Sequence, residues 1–165
     1  MAKGKILIAP QDEEVEGPLV FLAGPIIDAE DWQSKAIEII HKLRPDINIA
    51  SPRRPVFDAG FVYNEQVDWE TAYLNRAAKD GVILFWLSKE FKHDPNVSYA
   101  QSTRFELAEW KVKHERDGAK IALGIEEGFT GAEYIRCRFN ENCPDIAIMD
   151  SLQKTCEKAV SLLAG

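Results

Sequence analysis

Glu106 is the residue whose setting gives it the clearest chemical use. The run Gly81 to Ser88 has the length and apolar character of a strand buried on both faces of a parallel sheet. Thr103 and Glu106 follow it in the spacing T-x-x-E that marks a helix start. A strand, a loop and a helix start put Glu106 at the carboxyl edge of the sheet, where open α/β folds bind their ligands. Two readings follow. Glu106 is a capping residue, or it is a nucleophile kept ionised by the exposed N–H groups and partial positive charge of the helix start. Capping neither requires nor excludes catalysis.

Other residues near strand ends offer chemistry of their own. Gly24-Pro25 ends the apolar run Leu19 to Ala23, either as a plain turn or as a place where backbone amides approach a ligand. Arg53 and Arg54 offer planar forks to a 5'-phosphate or a base, or are simply solvated. Trp69 and Trp86 could sandwich a nucleobase, although Trp86, inside a buried strand, is assigned to packing. His41, His93 and His114 have no triad partner in view and are given surface roles. The polar loop from Phe91 to Ala100 is long enough to be a lid.

These side chains need a frame, and hydrophobic periodicity supplies one. Strands are expected at 19–23, 47–50, 81–88, 120–125 and 146–149, with helices at 30–44, 64–79, 103–117, 129–139 and 152–164. Residues 5–9 are an edge strand or an arm, and 11–17 an acidic linker or surface loop. The alternation implies an α/β fold, a flavodoxin-like or Rossmann-like three-layer sandwich. Its parallel sheet has five strands in the order 2-1-3-4-5 and helices on both faces.

At 165 residues, with 45% hydrophobic and 28% charged side chains, the chain is read as one soluble domain, residues 1–165. A net charge of -7 argues against binding a nucleic-acid polymer, though a local basic patch could hold one phosphate. Cys137, Cys143 and Cys156 match neither a zinc knuckle nor a redox pair, and are read as reduced thiols. No stretch reads as a signal peptide or a membrane span, so a cytoplasmic protein is expected. No metal or cofactor is expected.

Five segments, in order, carry a resemblance: Phe21-Leu22-Ala23-Gly24-Pro25-Ile26, Ser51-Pro52-Arg53-Arg54, Gln66-Val67-Asp68-Trp69-Glu70, Phe85-Trp86 and Ser102-Thr103-Arg104-Phe105-Glu106-Leu107. Together, over about residues 20–135, the chain resembles the nucleoside 2-deoxyribosyltransferase-like family. The resemblance implies that Glu106 attacks the anomeric carbon of a nucleoside or nucleotide. It also implies an acidic residue at the start of the preceding helix that orients the sugar or handles the base's proton. Glu70 is the best match and Asp68 the reserve. Gly24, Pro25, Arg53, Arg54, Trp69, Ser102 and Arg104 are the implied substrate-binding residues. Better-known members have aspartate at the Glu70 position, Ala-Asp where Ala77-Ala78 stands, and often glycine just after the central glutamate, where Leu107-Ala108 stands. These departures bear on substrate identity more than on reaction type.

Two carboxyl groups suit the reaction. Breaking an N-glycosidic bond develops positive charge on the sugar, which one carboxylate stabilises and captures while a second acid protonates the departing base. The competing function is a non-catalytic sensor of a nucleotide-derived ligand, with Glu106 gripping ribose hydroxyls. A homo-oligomer with shared sites is expected from the resemblance and from the aromatic cluster Phe57, Phe61, Val62 and Tyr63. Tyr63 or the segment around Tyr134 would then reach a neighbour's ligand.

Overall fold

The computed structural model describes residues 2–56 and 59–164. In chain order they form β1 (Ile6–Ile8), β2 (Leu19–Ala23), α1 (Trp32–Leu43), β3 (Asn48–Ser51), α2 (Tyr63–Asp80), β4 (Gly81–Leu87), α3 (Gln101–Asp117), β5 (Ile121–Ile125), α4 (Ala132–Asn142), β6 (Ile148–Met149) and α5 (Leu152–Leu163). All strand pairings are parallel, in the order β1-β3-β2-β4-β5-β6. The five expected strands stand in the expected order, and the correction is a sixth. Residues 6–8 are an edge strand rather than an arm, with Leu7 opposite Ala50 and fully buried while Ile6 is exposed. Three residues are too few to display an alternation, so the pattern leaves both readings open.

Strand periodicity sorts the core into two layers. Phe21, Ile83, Phe85 and Leu123 face Tyr73 and Leu74 of α2, Leu107 and Trp110 of α3, and Phe139 of α4. Val20, Leu22, Leu84 and Trp86 face Trp32, Ala36 and Ile40 of α1 with Cys156 and Ala159 of α5. The chain leaves β2 for β3 on one side, then crosses back to β4 on the other. The switch point therefore lies between β2 and β4, where ligand crevices form. Gly24 sits at the end of β2 for close packing: a Cβ there would lie 2.3 Å from the Trp86 carbonyl oxygen and 2.6 Å from the Trp32 ring.

The acidic stretch before β2 is tied down across α2. Trp69 donates from Nε1 to the Gln11 carbonyl at 2.8 Å, and the Tyr73 hydroxyl meets Asp12 and the Glu13 amide. Arg76 donates to the Val15 carbonyl. Trp69 also stacks on Tyr73, with ring centroids 4.5 Å apart. This corrects its expected role as a base-stacking residue: it is buried on the core face of α2.

The start of α3 differs as well. Its first residue is Gln101, its N-cap is Ala100 at φ 58°, and no side chain caps it. Thr103 is buried inside the first turn and Glu106 lies in the second turn, so the capping-box reading fails. The far end of α3 is as expected, with Gly118 at φ 72° supplying the left-handed residue that ends a helix. His114 is half-buried there, bonded to the Ala119 carbonyl and to Asp145, each at 2.7 Å, so its role is to fix this end rather than to sit on the surface.

Candidate active site

A cleft of about 790 Å³ opens at the carboxyl edge of the sheet, between the first half of α2 and the first half of α3. That is ample for a nucleoside-sized ligand. Phe21, Ala23 and Gly24 form its floor, Phe61 and Tyr63 one wall, and Val97 to Thr103 another. Glu70 of α2 and Glu106 of α3 both line it.

Glu70 is held from behind by a short hydrogen-bonded chain. Arg54 donates from Nε to Gln66 Oε1 at 2.6 Å, which orients the Gln66 amide. The Gln66 Nε2 group then donates to Glu70 Oε1 at 2.8 Å and to the Pro52 carbonyl at 3.1 Å. Burial pushes the Glu70 carboxyl above the usual range, while the Gln66 donor and the Arg54 charge pull the other way. The spacing of Gln66 and Glu70 follows from the helix, since residues four apart lie on one face.

Glu106 has no such support. Burial foremost, then the charges of Glu70 and Glu109, push its carboxyl up to about 8. This corrects the expectation that the helix start keeps it ionised. A place in the second turn, desolvation and neighbouring carboxylates outweigh a helix dipole that acts mainly over the first turn. Both carboxyls are thus raised by burial, and the charge of Glu70 adds to the rise at Glu106.

The remaining expected site residues fall on and off the cleft. Gly24, Pro25 and Ser102 line it; Asp68 is exposed and outside it. The Pro25 carbonyl accepts from Trp32 Nε1 at 2.9 Å and from Gln33 Nε2 at 3.3 Å. Arg53 is spent on the loop after β2: it donates to Gln33 at 2.8 Å and to the carbonyls of Ile26, Ala29 and Glu30 at 3.1, 3.2 and 2.9 Å. Arg54 stands behind Gln66, over the Phe61 ring. Arg104 points to the far side of α3, bonded to the Tyr99 and Thr130 carbonyls and packed on Phe129. It lines a separate pocket of about 500 Å³ beside Glu90 and His93.

Three residues with no role assigned from sequence also bear on the cleft. Gln66 orients Glu70, and its only advance signal is the four-residue spacing. Asp28 and Glu109 line the cleft, and Asp28 has φ 59°. Asp28 and Ala100 are both non-glycine residues in the left-handed region, and both border the cleft. A left-handed residue other than glycine costs about 1 kcal/mol. Backbone strain gathered at one crevice accords with a site that the fold builds at some expense. Among the described residues, no group of three or more His, Cys, Asp or Glu side chains is arranged to hold a metal ion.

The family model described as "nucleoside 2-deoxyribosyltransferase like" matches residues 17–122, more than half of the 165-residue chain. The chain belongs to the nucleoside 2-deoxyribosyltransferase-like family. The matched region carries β2 to β4, α2, α3 and both carboxyls of this family member's cleft. No match to the chain is found among curated proteins. Among solved structures, the crystal structure of a conserved protein from Enterococcus faecalis is similar, with a TM-score of 0.55 and 11% identity, covering 90% of this chain and 100% of that one. At that identity the likeness establishes the three-layer α/β fold alone.

Proposed function

We propose that this chain breaks the N-glycosidic bond of a (2-deoxy)ribonucleoside or nucleotide by passing the glycosyl group to Glu106, and from there to a second base or to water. The observation that carries the reading is the placement of Glu70 and Glu106 in one nucleoside-sized cleft, where burial raises both carboxyls. Family membership supports glycosyl transfer as the reaction class.

The pair supplies what the reaction needs with a single proton. Moving that proton from Glu106 to Glu70 makes one carboxyl a nucleophile and the other an acid, with no net uptake. A Glu106 oxygen then bonds to the anomeric carbon as the carbon–nitrogen bond breaks. The bonding electron pair goes to the base nitrogen, and Glu70 gives the base its proton. In the second half, an acceptor base or water attacks the same carbon and returns a proton to Glu70, and Glu106 leaves as a carboxylate.

A panel of ribo- and deoxyribonucleosides and their 5'-monophosphates, with and without an acceptor base, tests this by chromatography. Released base without acceptor means hydrolysis, and exchanged base means transfer. One observation favours a second reading, a ligand sensor: a protonated Glu106 is a hydrogen-bond donor suited to gripping a ribose hydroxyl. Saturable binding with no turnover of any panel member would select it.

A further inference from the structure

We infer that the pocket on the far side of α3 is a second binding site, for a small zwitterion of the α-amino-acid kind, and that its occupant steadies the wall it shares with the cleft. The pocket holds about 500 Å³ and lies between the loop after β4 and the segment before α4. Glu90, Arg104 and Thr130 supply its charged and polar lining, Pro95 and Val97 its apolar lining. The reaction proposed for the cleft uses none of these groups.

Two opposite charges stand here without being paired to each other. Arg104 donates from Nε to the Tyr99 carbonyl at 3.0 Å and from Nη2 to the Thr130 carbonyl at 2.5 Å, with one face of its guanidinium on the Phe129 ring. Its partners are therefore neutral. Glu90 accepts the Thr130 hydroxyl at 2.5 Å and His93 Nδ1 at 2.9 Å, both on Oε1. Thr130 thus holds both charges, one by its hydroxyl and one by its carbonyl. Among the described residues no ion pair joins Glu90 to Arg104, and neither Glu90 Oε2 nor Arg104 Nη1 has a hydrogen-bond partner. The Glu90 side chain is only 9% exposed. The Thr130 hydrogen bond foremost holds its carboxyl below the ordinary range, so it is ionised at neutral pH.

Those two spare groups select a ligand by charge. A plain anion at Arg104 meets the repulsion of Glu90, and a plain cation at Glu90 meets that of Arg104. A molecule with both a carboxylate and an ammonium meets neither cost and makes a charge-assisted hydrogen bond at each end. Pro95 and Val97 offer contact to an apolar side chain. The link to the cleft is covalent and short. Val97, Ser98, Tyr99 and Gln101 line both cavities, so one segment partitions them. That segment carries Ala100 at φ 58° and runs straight into α3, which bears Glu106. Arg104 grips it at the Tyr99 carbonyl, so a carboxylate bound to Arg104 restrains the cleft wall as well.

The test is calorimetry of the full-length chain with the common L-amino acids. The best binder is then compared with its N-acetyl and amide derivatives, which lack the ammonium and the carboxylate in turn. The expected result is saturable binding of one amino acid per chain, strongest for an apolar side chain. Either derivative, or Glu90→Gln with its size kept, should weaken it roughly tenfold or more. Arg104→Met should abolish it; if melting curves show that variant unfolded, the amide derivative on wild type reads the same contact. Hydrogen exchange across residues 97–103 should slow on binding. None of these readouts depends on the reaction in the cleft. No amino acid bound at millimolar concentration, or binding indifferent to Glu90→Gln and to both derivatives, would overturn the site. Uracil or another uncharged amide bound in its place would overturn the zwitterion. Binding with unchanged exchange at 97–103 would overturn the link to the cleft.

Discussion

Glu106 holds its proton up to about pH 8 at rest, which sets a sign for stability as well as for catalysis. Its folded pKa lies above the ordinary 4.5, so between those two values the native chain binds more protons than the unfolded chain, and stability falls as pH rises through that window. Glu106→Gln removes the titration. The variant should therefore be more stable than wild type above about pH 8, by a few kcal/mol, and little different below pH 4.5; melting curves across pH check this. Activity carries a second sign. The productive pair holds one proton, so kcat/KM should form a bell whose alkaline limb falls near pH 8 and whose acid limb reports Glu70. A profile still rising through pH 9 would contradict the shared proton. Gln66→Leu should move the acid limb upward and lower kcat by roughly tenfold, because Glu70 loses the donor that favours its charged form. A merely structural loss at Gln66 would leave the limbs in place. Glu70→Ala should cost more than Asp68→Ala, whose side chain lies outside the cleft.

The loop after β2 is an element that Arg53 assembles, with its guanidinium bonded to the carbonyls of Ile26, Ala29 and Glu30. Arg53→Met should lower kcat/KM by at least tenfold, since misplacing a positioning loop is costly, and should do so equally for nucleosides and monophosphates. Selective loss for monophosphates alone would restore a phosphate role. Elements of this fold were well legible from sequence where periodicity is strong: β4 with its continuous apolar run, and α1 with Trp32, Ala36 and Ile40 buried at helical spacing. The start of α3 was not, because Ala100 enters the helix through a left-handed conformation with no capping side chain to announce it. Of the candidate site, Glu106, Glu70, Gly24, Pro25 and Ser102 come together as the motifs suggest. Trp69, Arg53 and Arg104 lie off the cleft for one reason. A side chain's type tells what it can bind, but its partner here is a distant segment: the Gln11 carbonyl, the loop after β2 and the Thr130 carbonyl.

At the scale of the whole molecule, the cleft mouth is ringed by exposed apolar side chains, among them Ile27, Tyr63, Val67, Val97 and Phe105. Phe57, expected in the same cluster, lies outside the described residues, and Phe61 is half-buried under Arg54. Apolar surface gathered at one crevice is the mark of an interaction face. We expect a homo-oligomer in which a neighbouring copy closes the cleft. Sedimentation at micromolar concentration should show at least a dimer, and Phe105→Glu should dissociate it with loss of activity. A fully active monomer would refute both the interface and the shared site. No helix among the described residues is long and apolar enough to cross a membrane.

The central claim is that Glu106 becomes covalently bonded to the sugar. Mass spectrometry of the intact chain after incubation with a slow 2-fluoro nucleoside substrate, followed by peptide mapping, tests it directly. The account predicts one glycosyl group added per chain and located on Glu106, absent in Glu106→Gln. Turnover by wild type with no adduct, or with the sugar on another residue, would contradict it.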